Sequence, residues 1–178
     1  MGCLTFILGG ARSGKSCYAQ DLAEKIEEER GGQVVYLATG SAGDEEMRER
    51  IAKHRKSRPG NWKTVEAECE VSTAIAEECK GSSVIIIDCI TLLITNILLA
   101  KGEDAEELVF TEVEHIIENT GKIKADVIIV SNEVGTGIVP EYKLGRIFRD
   151  IAGRIHQVLA AKADEAYFMT AGLAQRLK

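Results

Sequence analysis

The chain has 178 residues, a length that suits one complete domain and is short for two. Its apolar fraction of 45% and charged fraction of 28% are those of an ordinary globular protein. The net charge of −6 argues against general binding to nucleic acid or to an anionic membrane. An anionic ligand would therefore have to be met by a local cluster of basic residues.

The cysteines and the longest apolar run both point to a cytoplasmic protein. The five cysteines form no Cys-x-x-Cys pair, and no interspersed histidines complete a zinc ligand set. We therefore expect reduced thiols rather than disulfides or zinc. The apolar run at 84–100 is short for a membrane span and contains Asp88, so we expect a buried strand followed by a helix and no stable membrane insertion.

The hydrophobic pattern alternates between strand-like and helix-like segments along the chain. Short, mostly continuous apolar runs predict strands at 3–8, 34–38, 84–87, 126–131 and 165–170. Segments with helical spacing or helical composition predict helices at 15–30, 44–58, 90–101, 104–119 and 142–161. Continuous apolar strands between helices predict a mainly parallel sheet that is covered on both faces, within one domain over residues 1–178.

The segment GGARSGKS joins the first predicted strand to the first predicted helix. It matches the P-loop pattern G-x-x-x-x-G-K-[ST] at every required position and in the required context. Its glycines let backbone N–H groups surround an anion at a helix N-terminus. Lys15 would contact the terminal phosphates, and the Ser16 hydroxyl could bind Mg²⁺. The predicted nucleotide-binding residues here are Gly9, Gly10, Ala11, Arg12, Ser13, Gly14, Lys15 and Ser16.

This motif favours a P-loop NTPase-like α/β three-layer sandwich over the alternative of a plain glycine turn. Asp88 ends the apolar run VIIID, where a carboxylate could hold Mg²⁺ directly or through water. The same residue could instead be the N-cap of the following helix. The two motifs together indicate a nucleoside triphosphate site, but they do not define what happens to the nucleotide.

A dense basic cluster surrounds His54. Residues 50–58 contain five basic residues and no acidic one, in a chain with an overall charge of −6. Neighbouring cations keep an imidazole neutral, and a neutral imidazole can attack phosphorus to form a phosphoramidate. The alternative is a structural histidine on an apolar stripe, in a helix whose acidic start and basic end complement its dipole. We expect His115 and His156 to be structural.

Four blocks, in order and nearly end to end, resemble the adenosylcobinamide kinase / adenosylcobinamide-phosphate guanylyltransferase family of cobalamin biosynthesis. They are GGARSGKS, DEEMRERIAKHRKSRPGNW, DCITLLITN, and NEVGTGIVP followed by RDIAGRIHQVLAAKADE. The resemblance implies that ATP or GTP phosphorylates adenosylcobinamide. It also implies that GTP guanylylates His54, releasing pyrophosphate, and that the GMP passes to adenosylcobinamide phosphate to give adenosylcobinamide-GDP. His54 begins the family's H-x-x-x-R-P block.

The resemblance also implies further nucleotide contacts and an oligomer. The implied contact residues are Thr39, Gly40, Ser41, Arg55, Lys56, Ser57, Arg58, Glu66 and Asp88. The position of Asp88 is sometimes glutamate in the family, and the shorter aspartate would favour a contact through water. Family members are typically trimers, so a homotrimer is expected. The segment 132–140 is either a loop that shapes the corrinoid or nucleotide pocket or an ordinary strand-to-helix connection.

Two other functions remain open from the residues alone. One is a simple small-molecule or nucleotide kinase in which His54 is structural. The other is a non-enzymatic nucleotide switch or DNA-associated ATPase module. The acidic charge balance disfavours DNA binding, and the lack of an N-K-x-D motif disfavours a GTPase switch.

Overall fold

The computed structural model describes residues 2–40, 45, 48–49, 52, 55, 58–102 and 105–178. Its centre is one seven-stranded sheet with the order β3-β2-β4-β5-β1-β6-β7. Every neighbouring pair is parallel except β6 and β7, which are antiparallel. The strands are β1 (Leu4–Gly9), β2 (Val34–Ala38), β3 (Lys63–Glu66), β4 (Val84–Asp88), β5 (Asp126–Asn132), β6 (Glu165–Thr170) and β7 (Leu173–Arg176).

Five helices of this part of the chain surround the sheet. They are α1 (Lys15–Arg30), α2 (Val71–Glu78), α3 (Ile90–Lys101), α4 (Ala105–Gly121) and α5 (Lys143–Lys162). The predicted α/β fold with a mainly parallel sheet is confirmed, and four predicted helices and five predicted strands lie where the sequence pattern put them. Of the predicted helix 44–58, residues 45, 48–49, 52 and 55 are helical, Arg58 at its end lies in a bend and is not helical, and the other residues lie outside the described part of the chain.

Alternate residues of each central strand bury themselves on opposite faces of the sheet, which produces three layers. On one face, residues such as Ile7 and Tyr36 pack with α1 and with Trp62. On the other face, their neighbours Phe6 and Leu37 pack with α2, α3, α4 and α5. Because both faces are covered, the central strands are mostly apolar, as the sequence pattern indicated.

Three elements were not predicted, and each carries a weak local signal. The strands β3 and β7 have four residues each and lie at the two edges of the sheet, where β7 is fully exposed. The helix α2 has eight residues and no side-chain hydrogen bond from its own N-cap residue. Glu112 of α4 instead accepts hydrogen bonds from the Ser72 backbone N–H at 2.7 Å and hydroxyl at 2.8 Å. Tertiary contact thus replaces local capping.

Within the described part of the chain, no helix combines the length and apolar character needed to cross a membrane.

Candidate nucleotide-binding site

The P-loop connects the end of β1 to the start of α1, as predicted. Gly14 is the N-cap residue of α1, with a φ of 96°, and no side chain caps this helix end. Lys15 is 7% exposed, and its ammonium donates hydrogen bonds to the Gly10 carbonyl at 2.5 Å and to Ser13 Oγ at 3.4 Å. The lysine therefore folds back over the loop. In this position its charge lies at the helix N-terminus that would receive phosphate oxygens.

Two glycines of the loop are required by close contacts with the end of β6 and the turn that follows it. A Cβ on Gly9 would lie 2.5 Å from the Met169 carbonyl oxygen and 2.8 Å from Ser13 Oγ. A Cβ on Gly14 would lie 3.2 Å from the Cα of Gly172, and the Gly172 N–H donates to the Ser13 carbonyl at 3.0 Å. The β6–β7 turn therefore supports the loop from one side.

Asp88 ends β4 and does not act as the helix cap that was its alternative role, because the N-cap residue of α3 is Cys89. Its Oδ2 accepts a short hydrogen bond from the Tyr36 hydroxyl. Burial, together with the charge of Asp88, raises the pKa of the Tyr36 phenol well above its ordinary value. The phenol therefore remains a protonated donor, and the Asp88 carboxylate has a fixed partner.

Arg58 lies over the ring of the same tyrosine. Its guanidinium carbon is 3.4 Å from the centroid of the Tyr36 ring, within cation–π range. Nη1 donates a hydrogen bond to Thr64 Oγ1 at 3.4 Å. Its Nε is buried, and no described atom accepts a hydrogen bond from it. The structure thus brings Arg58 to the Asp88 side of the sheet through Tyr36.

Thr39 lies directly after β2 and is completely buried. Its hydroxyl accepts a hydrogen bond from the Cys89 N–H and donates one to the Cys89 carbonyl, both at 2.7 Å. Asn96 of α3 donates to the Thr39 carbonyl at 2.8 Å. The described contacts of Thr39 therefore hold the end of β2 to the start of α3. Gly40 follows it at the same edge of the sheet.

The remaining predicted site residues divide into described and undescribed ones. Arg55 and Glu66 form an ion pair at 3.9 Å, and both side chains are about two-thirds exposed. Exposed pairs of this kind contribute little to stability and remain available to a ligand. Ser41, His54, Lys56 and Ser57 lie outside the described residues, so the structure does not show where the predicted nucleophile lies.

The strand order brings the end of β5 between the P-loop strand and Asp88. Asn132 is paired in register with Gly9, and its amide donates to Thr91 Oγ1 at 3.1 Å. The Glu133 N–H donates to the Gly9 carbonyl at 2.8 Å, and the Glu133 carboxylate accepts a short hydrogen bond from the Gly135 N–H. The first residues of the segment 132–140 are therefore tied to the loop that they flank.

The other two histidines differ in their surroundings, one exposed on a helix and the other buried and hydrogen-bonded. His115 is on the exposed face of α4. His156 is buried in α5, and its Nε2 lies 2.8 Å from Ser131 Oγ. Burial lowers the pKa of this imidazole, and the charge of Glu133 opposes the shift. The buried position of His156 suits a structural role, whereas His115 lies at the protein surface.

Sequence reasoning did not single out Tyr36. The available signal was a tyrosine two residues before the end of a continuous apolar strand, because a buried phenol needs a hydrogen-bond partner. Its partner could not be named from sequence, because Asp88 lies diagonally opposite on the neighbouring strand: Tyr36 pairs with Ile86, and Asp88 pairs with Ala38.

A glycine-rich strand-to-helix loop on a mainly parallel sheet, with helices on both faces, defines a P-loop NTPase-like α/β protein. A solved structure supports this fold: the flagellar accessory protein FlaH from Methanocaldococcus jannaschii superimposes with a TM-score of 0.54. The match covers 99% of this chain and 78% of that chain at 20% sequence identity.

The chain belongs to the cobinamide kinase / cobinamide phosphate guanyltransferase family, whose model matches residues 5–177. Curated relatives agree. The bifunctional adenosylcobalamin biosynthesis protein CobP of Pseudomonas aeruginosa is 41% identical, over 97% of this chain and 95% of its own length. The bifunctional adenosylcobalamin biosynthesis proteins CobU of Salmonella typhimurium and Escherichia coli are 39% and 37% identical, over 98% of this chain and 99% of theirs. The family resemblance inferred from the sequence is confirmed.

Proposed function

We propose that this chain is a bifunctional transferase of cobalamin biosynthesis. It phosphorylates the hydroxyl of adenosylcobinamide with ATP or GTP, and it then transfers GMP from GTP to adenosylcobinamide phosphate, giving adenosylcobinamide-GDP. The observation that carries this proposal is the family match over residues 5–177, which includes both the P-loop and the His54 block. The single sheet that contains all seven described strands supports one catalytic domain over residues 1–178.

In the guanylyl-transfer reaction, His54 is the proposed nucleophile. Its neutral imidazole nitrogen attacks the α-phosphorus of GTP, the P–O bond to pyrophosphate breaks, and a P–N bond forms. A phosphate oxygen of adenosylcobinamide phosphate then attacks the same phosphorus and releases the imidazole. The basic cluster at 50–58 would stabilise the departing pyrophosphate, and Arg55, Lys56, Ser57 and Arg58 are proposed contacts with the nucleotide.

The P-loop would hold the triphosphate in both reactions. Lys15 lies at the N-terminus of α1 and would move from the Gly10 carbonyl to the terminal phosphates. The backbone of Gly9 to Ser16 would surround the phosphate chain. Thr39, Gly40, Ser41 and Glu66 are proposed to complete the nucleotide pocket. The described bonds of Thr39 suit it to fix this loop rather than to bind through its hydroxyl.

Mg²⁺ is the proposed cofactor. The Ser16 hydroxyl and the Asp88 carboxylate are the hard oxygen donors that this ion prefers, and both come from the carboxyl edge of the parallel sheet. No group of three or more His, Cys, Asp or Glu side chains suited to a metal occurs among the described residues. This fits an ion completed by substrate phosphates and water. Bound Mg²⁺ would neutralise charge on the triphosphate.

The decisive experiment is to incubate the protein with GTP labelled at the α-phosphate. We expect an acid-labile, base-stable GMP adduct, which is lost in His54→Ala and retained in His115→Ala, the exposed histidine on α4. Adenosylcobinamide phosphate should discharge the adduct. His54→Ala should still phosphorylate adenosylcobinamide, because only guanylyl transfer needs a covalent carrier. Kinase activity without any adduct would instead identify a simple kinase with a structural His54.

Lys15→Ala should weaken both reactions, because both need the triphosphate to be held. Lys25→Ala provides the matched control, since Lys25 is an exposed lysine of the same helix. If His54→Ala folds normally but loses both activities, the separate roles proposed for the two sites are wrong. The homotrimer is also a proposal, and light scattering after gel filtration should give three times the mass of one chain.

A further inference from the structure

Tyr36 contacts both the Asp88 carboxylate and Arg58. Its hydroxyl donates to Asp88 Oδ2, and its ring face supports the Arg58 guanidinium at 3.4 Å. Asp88 is the proposed magnesium ligand, whereas Arg58 closes the segment that begins at His54. The contact with Asp88 uses the hydroxyl alone, whereas Arg58 also lies against the ring face, so a substitution that keeps the ring keeps that contact.

The surroundings of Tyr36 hold it in one position. The residue is 1% exposed and belongs to the core cluster that α1 and Trp62 cover. It lies on β2, and Asp88 lies on β4, which is paired directly with β2 in the middle of the sheet. A buried ring packed in this way has little rotational freedom, and its hydroxyl and face are therefore fixed relative to the sheet.

From this geometry we propose that Tyr36 is a positioning residue that orients Asp88 toward the magnesium–nucleotide complex and holds Arg58 at the guanylyl-transfer site. The inference rests on the proposed function, because it takes Asp88 as the ligand and Arg58 as a nucleotide contact. By occupying Oδ2, the phenol leaves Oδ1 for the ion or one of its waters. Outer partners of this kind typically change metal affinity or activity by about 10- to 100-fold when they are removed.

The contact with Arg58 has a different consequence. No described atom accepts a hydrogen bond from the buried Arg58 Nε. The described side-chain contacts of this guanidinium are with Tyr36, through its ring face and hydroxyl, and with Thr64 Oγ1 at 3.4 Å. Removing the ring should release Arg58 from the site. The loss should be confined to guanylyl transfer, because phosphorylation of adenosylcobinamide does not use the His54 segment in the proposed scheme.

The test compares Tyr36→Phe with Tyr36→Leu. Tyr36→Phe keeps the ring under Arg58 and removes the hydroxyl, which bonds to Asp88 and also interacts with Arg58. Calorimetric titration with GTP at a series of Mg²⁺ concentrations should show the half-saturating Mg²⁺ concentration raised by about tenfold. GTP binding without Mg²⁺ should be unchanged, and adduct formation should recover at saturating Mg²⁺. Tyr167→Phe is the matched control, because the Tyr167 hydroxyl also donates to a carboxylate, Glu165 at 2.9 Å, on β6.

Tyr36→Leu should share the raised Mg²⁺ requirement, and its rate of adduct formation should remain about threefold or more below that of Tyr36→Phe at saturating Mg²⁺. Its phosphorylation of adenosylcobinamide should recover with Mg²⁺. An unchanged Mg²⁺ dependence of GTP binding in Tyr36→Phe overturns the proposed role toward Asp88. Equal adduct formation by the two variants at saturating Mg²⁺ overturns the proposed role toward Arg58.

Failure of the proposed function would look different. In that case the unsubstituted protein would itself form no adduct. The Mg²⁺ dependence of GTP binding could still be measured for Tyr36→Phe and for the unsubstituted chain, and it would still test the role of Tyr36 toward Asp88. If Tyr36→Leu does not fold, the rate of adduct formation in Arg58→Ala with Tyr36 intact replaces it. At saturating Mg²⁺ the rate of adduct formation in Arg58→Ala should fall by about threefold or more, as expected for Tyr36→Leu. An unchanged rate overturns the role of Tyr36 toward Arg58.

Discussion

The two adjacent glycines that open the P-loop should respond very differently to the same added methyl group. In Gly9→Ala the new Cβ would lie 2.5 Å from the Met169 carbonyl oxygen, 2.8 Å from Ser13 Oγ and 3.0 Å from the Met169 Cβ. The nearest of these atoms is backbone of a paired strand and cannot rotate away. In Gly10→Ala the Cβ would meet no atom within 4 Å.

Overpacking of this kind costs about 1–3 kcal/mol, which for a chain of this size lowers the melting temperature by roughly 2–12 °C. Gly10→Ala should be neutral or stabilise by up to about 1 kcal/mol, because alanine restricts the unfolded chain. Urea unfolding without nucleotide measures both variants and separates stability from binding. Equal midpoints for the two variants, or a larger loss in Gly10→Ala, would refute this account of the loop.

Three further predictions concern other parts of the fold. Glu27 accepts hydrogen bonds from Asn61 Nδ2 and Trp62 Nε1, both at 2.8 Å, so Glu27→Ala should cost about 1.5–3 kcal/mol in urea unfolding. Glu28→Ala, at an exposed neighbouring position, should change the free energy of unfolding by less than about 0.5 kcal/mol. Equal losses in the two variants would contradict the stabilising role of the Glu27 hydrogen bonds. Because burial lowers the pKa of His156, the unfolded chain binds more protons than the folded chain as the pH falls through and below about 6.5. The free energy of unfolding should therefore drop on acidification, and His156→Gln should reduce this slope relative to His115→Gln. Iodoacetamide at pH 8 should modify exposed Cys17 in the folded protein but spare Cys79 and Cys89, whose thiol pKa burial raises to about 11. Mass spectrometry of the labelled peptides measures this, and early labelling of Cys89 would contradict the buried position.

The elements that were predictable from sequence are those with a clear local pattern: a continuous apolar run, an amphipathic stripe or a motif of fixed spacing. The run VVYLA is continuous, apolar and β-branched, and it forms β2 over the predicted residues 34–38. The helix α5 was predicted at 142–161 from its apolar stripe, and it spans Lys143–Lys162. The P-loop was found because its glycines and Lys15 occur at a fixed spacing between a strand and a helix.

What could not be predicted depends on contacts between distant segments. The stability of α2 depends on Glu112 from another helix, a contact that no local pattern encodes. The bond between Tyr36 and Asp88 follows from the register of β2 against β4, which the sequence of neither strand specifies. The bonds that connect Thr39, a proposed nucleotide contact, to Cys89 likewise join two segments that are distant in the sequence.

The strand order explains why the end of β5 belongs with the nucleotide site, although its segment could also have been an ordinary connection. Neighbouring strands lie about 4.8 Å apart, so β1 and β4, which flank β5, are separated by roughly 10 Å. The end of β5 therefore lies between the loop that follows β1 and the carboxylate at the end of β4. The tip of β5 fills the space between them: Asn132 is level with Gly9, and Glu133 is bonded to the Gly9 carbonyl. We therefore expect a triphosphate held by the P-loop and extending toward Asp88 to pass over Asn132, which makes the start of the segment 132–140 part of the nucleotide pocket.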